Sequence, residues 1–344
     1  MVGVMNPAAL MTSALQLDVL DLRHFSAVQL HPLLREEAAL WQQRLHWDYT
    51  HSTSILLDYL DGRILPGLVA IDTEHGNRIL GYAFHVFEGA KAVIGDVYSF
   101  GETRSTTNPV GDVLLRHTLQ TLQATPGVDR IESQLLMYPA GSLAAPFLDH
   151  GFRSYPRLFM ARDLTQQPSP AQSSDMWSLL RQHNLTLHSW HPAYYESAAG
   201  LIHRCYADHM DAEINDQYKT FHGAQRFLHN IIRFPGCGIF DSEDSWVLRD
   251  AHTAEMKAML LCSRIRYDVG HITQLCVAPA LRGNGLGELL LSHCATQSTH
   301  RGLTSLSLTV TEANTRAQYL YLSNGFVPLH RFEAMVWDVL AASH

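Results

Sequence analysis

"CVAPALRGNGLGELLL", from Cys276 to Leu291, passes from an apolar strand-like run through Pro279 and Arg282 into three glycines, Gly283, Gly285 and Gly287, and then into an amphipathic apolar stretch. Glycine opens backbone dihedrals closed to other residues and lets a ligand approach the main chain. The helix N-terminus that follows leaves its first N–H groups without intrahelical partners and carries a partial positive charge, which suits an anion. The turn therefore reads as a pyrophosphate cradle with Arg282 supplying charge; the alternative is a tight strand-to-helix turn that merely tolerates glycine.

The spacing excludes two common pyrophosphate loops. A Walker loop needs Lys-Ser or Lys-Thr after the glycines, and none follows. A dinucleotide fingerprint, GxGxxG, would need its last glycine where the chain has Glu288 or Leu290.

Working outward, "LTLHSW" (185–190) alternates like a strand and two helical stretches follow it. Strands are expected at 244–250, 256–266 and 271–279, then the helix after Gly285, a strand at 305–313, a helix at about 314–323 and a last strand at 331–339. The order βααβββαβαβ is a mixed α/β plan. The first half repeats much of it: strands in "LQLDVLDL", "GLVAID", "ILGYAFHVF", "AVIGDVYSF" and "RIESQLLMYP", helices in "LREEAALWQQRLHW" and "GDVLLRHTLQTL", and the pair Gly151-Phe152. Between the halves, "DLTQQPSPAQSSD" concentrates Pro, Gln and Ser, as an exposed linker would. Two domains of a divergent duplication are expected, 1–163 and 183–344, joined by a linker at 164–182.

Two motifs in the second half carry a family resemblance. Arg282-x-x-Gly285-x-Gly287 resembles the acyl-coenzyme A signature [RQ]-x-x-G-x-[GA] of the GNAT superfamily of N-acyltransferases. "NTRAQYLYLSNGF" is similar to that family's N-x-x-A-x-x-x-Y-x-x-x-G-F, through Asn314, Ala317, Tyr321, Gly325 and Phe326. The resemblance covers about residues 183–340. It implies two GNAT-like domains, each a mixed, mostly antiparallel sheet flanked by helices. It also implies a cofactor site in which the backbone of Leu275, Cys276 and Val277 holds the pantetheine arm of acetyl-CoA. The N–H groups of Arg282, Gly283, Asn284, Gly285, Leu286 and Gly287 would hold the pyrophosphate, with Asn314 beside the arm. The implied activity is transfer of an acetyl group to a primary amine of a small molecule or peptide, by direct attack in a ternary complex. A non-catalytic acyl-CoA sensor is the alternative.

Tyr321 matches the family's proton donor, and a phenol with a reference pKa of about 10 is protonated at neutral pH. For the base, His271 stands on the strand before the turn, where some family members carry a carboxylate, and an imidazole can accept an amine proton. Glu312, Asp268, Asp211 and Glu213 are further candidates. Asp211 and Glu213 lie in the acidic loop "ADHMDAEINDQY", and with Glu312 they are expected to attract the ammonium of the acceptor. The first half departs from both motifs: its turn, "GETRSTTNPVGDVLL", keeps Arg104 and Gly111 without the closely spaced glycines, and its late segment lacks the Asn and Tyr. It reads as a degenerate, non-catalytic copy that frames the acceptor site or forms a homodimer.

Composition bounds the rest. With 344 residues, 46% hydrophobic and 17% charged, and a net charge of -8 without a basic run, the chain reads as a soluble globular protein with no nucleic-acid footprint. No apolar stretch approaches the roughly 18 residues of a membrane helix, and "MVGVMNPAALMTSALQLDVL" has no basic region of a secretory signal, so a cytoplasmic location without membrane contact is expected. The five cysteines include no CxxC pair and read as buried free thiols, and the 21 histidines form no compact ligand set, so no metal is expected.

Overall fold

The computed structural model describes residues 17–74, 76–101, 108–165, 173–233 and 236–339. The first half contributes β1 (Leu17–Asp21), α1 (Ala27–Leu45), α2 (Thr50–Asp61), β2 (Gly67–Asp72), β3 (Arg78–Glu88), β4 (Lys91–Ser99), α3 (Pro109–Ala124), β5 (Arg130–Gln134), α4 (Ala144–Asp149) and β6 (Arg153–Asp163). After α5 (Ser173–Gln182) the second half follows with β7 (Leu185–Ser189), α6 (Tyr195–Tyr206), α7 (Asp211–Ile214), α8 (Phe221–Arg233), β8 (Ile239–Asp250) and β9 (Met256–Arg266). It ends with β10 (Val269–Val277), α9 (Leu286–His300), β11 (Ser305–Thr311), α10 (Thr315–Ser323) and β12 (Val327–Asp338). The segment read as a linker thus ends in a helix, α5; its residues 166–172 lie outside the described residues.

The plan is the expected mixed, mostly antiparallel one, but the two halves share a single twelve-stranded sheet in the order β1-β2-β3-β4-β5-β12-β6-β11-β10-β9-β8-β7. Among the described strands only the β4–β5 and β10–β11 pairs are parallel. At the centre each half gives its last strand to the other. β12 pairs with β5 of the first half through Ala334↔Gln134 to Asp338↔Arg130, and β6 pairs with β11 of the second half through Ser305↔Asp163 to Thr311↔Arg157. β6 and β12 also pair with each other.

The exchange follows the side chains. Phe332 and Met335 of β12 are buried in the core of the first half, whereas Met160 of β6, with Leu158 beside it, packs in the core under α9. Each such burial is worth about 1.5–3 kcal/mol, so neither half completes its core alone. Pro156 lies within β6, a central strand that proline normally interrupts. Its carbonyl accepts from the N–H of Glu312, one residue past the end of the β11 ladder, so the missing N–H faces a place where no ladder bond is lost. A third apolar cluster lies on the other face of the second half, where Ala198, Leu201 and Ile202 of α6 and Leu228 of α8 cover Met259, Leu261 and Cys276.

Candidate active site

β10 and β11 run side by side only from Val269↔Ser305 to Ile272↔Leu308. Beyond that point β10 continues against β9 as far as Val277↔Ala258, and β11 continues against β6 as far as Thr311↔Arg157. The two strands part, and a cleft of about 580 Å³ opens between them, bordered by Thr273 to Val277 on one side and Leu308 to Val310 on the other. The N–H of Ala278 donates to Lys257 on β9. Since successive residues of a strand alternate in direction, the main-chain groups of Val277 and Leu275 face the gap and those of Cys276 face β9. The expected trio is therefore corrected to a pair, with Cys276 already used by the sheet. The carbonyl of Val277 accepts from Arg282 Nε at 3.2 Å and from Cys205 Sγ at 3.3 Å.

The glycine turn sits at the mouth of this cleft. Gly283 and Gly285 have φ of 88° and 76°, the left-handed region that disfavours side chains. A Cβ on Gly287 would lie 3.1 Å from Leu320 Cδ2. Gly285 is the N-cap of α9, and no side chain caps the helix. The N–H groups of Gly283 through Glu288 find no acceptor among the described residues, and the first such bond is Leu289 to Gly285. These are the unpaired donors that a diphosphate needs, so the chain fits the phosphate end of an acyl-CoA. The Asn284 side chain donates to the Leu281 carbonyl. Arg282 acts differently from expectation: its Nη2 donates to the Cys205 carbonyl at 2.8 Å, so the guanidinium braces the turn against α6. The cation that approaches the turn is Arg316, whose Nη2 lies 3.7 Å from the Cβ position of Gly283 and which also borders the cleft. Arg316 was missed in the sequence, although its place two residues after Asn314, on the first turn of α10, was a usable signal.

Deeper in the cleft, the Tyr321 hydroxyl has no hydrogen-bond partner among the described residues, and burial followed by the charge of Asp211 keeps the phenol protonated well above the usual tyrosine range. Asn314 caps α10 through Ala317 N–H at 3.1 Å, and its Nδ2 lies 3.3 Å from His209 Nε2. His209 Nδ1 is 3.5 Å from Asp211, whose other oxygen accepts from Thr311 Oγ1 at 2.5 Å. His209 was not singled out from the sequence, where it is one of many scattered histidines.

The acidic residues behave unequally. Glu213 pairs with Lys219 at 3.1 Å, Glu312 with Arg331 at 2.7 Å and Asp268 with Arg266 at 2.5 Å, and none of the three borders the cleft. Asp211 alone of the expected carboxylates does. His271 borders the cleft too, but it is only 5% exposed, stacks on Phe159 at 5.8 Å and bonds Ser307 Oγ through Nδ1 at 2.9 Å. Burial, with the nearby charge of Arg157, lowers its pKa to about 3. An imidazole that reluctant to take a proton is poorly suited to act as the base expected at His271.

Cys276 and Cys205 are neighbouring buried thiols, and burial pushes the Cys276 thiol well up, which makes it a weak nucleophile. Four of the five cysteines are buried, as expected, but Cys237 is exposed at the edge of the cleft. The first half adds Gln134 of β5 and Arg157 of β6 to the wall.

The first half has a corresponding fork. β4 and β5 pair from Lys91↔Arg130 to Ile94↔Ser133 and then separate. Here the gap is bridged from within: Tyr138, 8% exposed, donates its hydroxyl to the Val97 carbonyl at 2.6 Å. At the start of α3, Asn108 accepts from Gly111 N–H at 2.7 Å. Arg104, expected to be a remnant of the phosphate turn, lies outside the described residues.

Comparison with known proteins agrees with this geometry. The acetyltransferase (GNAT) family model matches residues 205–326. The chain is similar in structure to a GCN5-related N-acetyltransferase from Sphaerobacter thermophilus, at 16% identity and a TM-score of 0.61, over 94% of this chain and 96% of that one. It is also similar to a tandem GNAT protein from the clavulanic acid biosynthesis pathway, at 13% identity and a TM-score of 0.56, over 94% and 98% of the two chains. A glucosamine N-acetyltransferase region of a fungal multi-domain GH3 beta-N-acetylglucosaminidase aligns at 16% identity and a TM-score of 0.62, over 95% of this chain and 38% of that one. Comparison with curated protein sequences gave no match. Among the described residues no group of three or more His, Cys, Asp or Glu is placed to hold a metal ion, and no helix is long and apolar enough to cross a membrane. Residues 205–326 thus match the acetyltransferase (GNAT) family model, and the chain as a whole is similar in fold to a tandem GNAT protein.

Proposed function

We propose that the protein is an N-acetyltransferase that moves an acetyl group from acetyl-CoA to a primary amine within a ternary complex. Residues 183–344 carry the chemistry, and residues 1–163 serve as a non-catalytic partner that completes the sheet and the acceptor wall. The observation that carries the reading is the convergence, in one cleft, of an open strand edge, an uncapped glycine helix start and an unpartnered phenol.

The roles follow from position. Leu275 offers its main-chain groups and Val277 its N–H to the pantetheine amides, as an added strand would; the Val277 carbonyl is already taken by Arg282 and Cys205. The amides from Gly283 to Glu288, with Arg316 beside them, take the diphosphate. Bound acetyl-CoA supplies a thioester, an acyl group already activated for attack. Asp211 and His209 receive the proton that the amine must lose, and Tyr321 gives a proton to the sulfur as the C–S bond breaks. One C–N bond forms, one C–S bond breaks, and no covalent acyl-enzyme is used. The high pKa of Cys276 supports this direct route.

Coenzyme A release, followed with a thiol-reactive dye across polyamines, amino acids, aminoglycosides and peptides, tests the reading. Acceptor-dependent release that is lost in Tyr321→Phe supports the enzyme. Tight acetyl-CoA binding with no release for any acceptor would make the protein a sensor.

A further inference from the structure

Arg157 keeps one edge of its guanidinium almost unpaired, with Nε buried. Elsewhere, Arg23, Arg266 and Arg331 each present the Nε–Nη2 edge of the guanidinium to a carboxylate, of Asp21, Asp268 and Glu312 respectively. Arg157 uses its other end, Nη1, to donate to Gln134 Oε1 at 2.5 Å. Its Nη2 has only a long contact of 3.4 Å with Thr309 Oγ1, and its Nε is buried without a partner. No carboxylate pairs with it among the described residues.

Its place is the acceptor end of the cleft. Leu158 and Met160 of β6 pack toward α9, so strand alternation turns Arg157 to the opposite face, that of α6 and α8. On that face Gln274, 5% exposed, accepts from Tyr206 through Oε1 and leaves Nε2 buried and unpartnered. Tyr206 stacks on Tyr218 at 4.3 Å, and the charge of Arg157 acts on Tyr218 and Tyr321. The two buried, unpartnered side-chain atoms that border the cleft, Arg157 Nε and Gln274 Nε2, are both donors. A buried donor left unpaired costs about 1–3 kcal/mol, more where it is charged, and an Arg edge of two parallel N–H groups matches a carboxylate.

Resting on the acetyltransferase reading, we infer that the acceptor is a zwitterion: its amine lies toward Asp211, and a carboxylate on the same molecule is gripped by Arg157, a residue lent to the active site by the strand exchanged from the first half. Arg157 is thus a specificity-determining residue, and the first half sets which amine is acetylated. A phosphate monoester would satisfy the same edge less well, because the site offers two parallel donors and one further amide, not a ring of cations.

The test has two arms. In the first, amines are offered in pairs that differ by one anionic group: β-alanine and ethylamine, lysine and cadaverine, phosphoethanolamine and ethanolamine. In the first two pairs the carboxylate member is expected to react with kcat/KM at least tenfold higher, and Arg157→Met to reduce that ratio toward one, mainly through KM, with Arg157→Lys intermediate; phosphoethanolamine is expected to gain less over ethanolamine. The second arm does not depend on turnover: glutarate, with inorganic phosphate in parallel, is titrated calorimetrically onto the protein holding saturating coenzyme A. Glutarate is expected to bind wild type more tightly than phosphate does, and at least tenfold more weakly in Arg157→Met, whose folding is checked by its melting curve. Preference for uncharged or polycationic amines, stronger binding of phosphate, or glutarate binding indifferent to both substitutions would overturn the inference. Failure of the acetyltransferase reading shows separately, as Arg157-dependent glutarate binding without acetylation of any amine.

Discussion

The two halves of this chain start from the same fork of parallel strands and do opposite things with it. In the second half β10 and β11 part after Ile272↔Leu308 and leave about 580 Å³ of cleft; in the first half β4 and β5 part after Ile94↔Ser133, and the Tyr138 hydroxyl reaches across to the Val97 carbonyl. Two substitutions of one kind of partner for another account for the difference. Tyr138 occupies the open strand edge with its own hydroxyl, and Asn108 occupies an N–H of the helix start that Gly285 leaves bare in the second half. A strand fork becomes a ligand site only while its polar groups stay unsatisfied by the protein, and a few side chains are enough to close it.

The largest expected effect comes from separating the halves. A chain of residues 183–344 loses β6 from beside β11 and carries β12 without β5, so it is expected to give no folded, acetyl-CoA-binding protein, by circular dichroism and calorimetry. A soluble, fully active second half would break the comparison at its root. Next, Tyr321→Phe removes the proton donor and should lower kcat about 10²-fold or more with acetyl-CoA affinity nearly unchanged. Because the phenol pKa is raised, the wild-type rate should show no loss from its ionisation as pH climbs to 10.

The third effect is on stability. His271 stays neutral in the folded protein down to about pH 3, while the unfolded chain takes a proton near 6.5. The unfolded state therefore binds more protons between these values, and stability falls as the pH drops below 6.5, by up to roughly 1.4 kcal/mol per unit. His271→Asn should make the acid side of the stability profile shallower, measured by urea unfolding at a series of pH values, and should leave a measurable rate of transfer. Abolished transfer with acetyl-CoA binding intact would restore His271 as the base. The smallest effect belongs to the closed fork: Tyr138→Phe loses one buried hydrogen bond, about 1 kcal/mol, and should not alter acetyl-CoA affinity.

How far the sequence foretold this depends on the kind of signal. The glycine turn and the Asn314–Phe326 motif depend on backbone geometry and short-range spacing, and both fell where expected. The strand exchange was not legible: β12 is an ordinary strand whose partners lie in the other half, and β6, with Pro156 inside it, is not among the strands expected from the sequence. Helix α2, rich in Ser and Thr, was missed because its burial at Thr53, Leu56 and Leu60, not its propensity, holds it. Among the acidic residues Asp211 borders the cleft, but whether Glu213 and Glu312 are free to meet a substrate depends on Lys219 and Arg331, and long-range pairing leaves no mark in a local stretch. Arg157 and His209 entered the site the same way, through tertiary placement.

With one fork open and the other shut, the chain should hold a single coenzyme A. Calorimetric titration of coenzyme A onto the intact chain should give one site per chain, with affinity falling at least 100-fold in Gly285→Val and remaining unchanged in Tyr138→Phe. Two sites per chain, or a single site indifferent to Gly285→Val, would contradict the account.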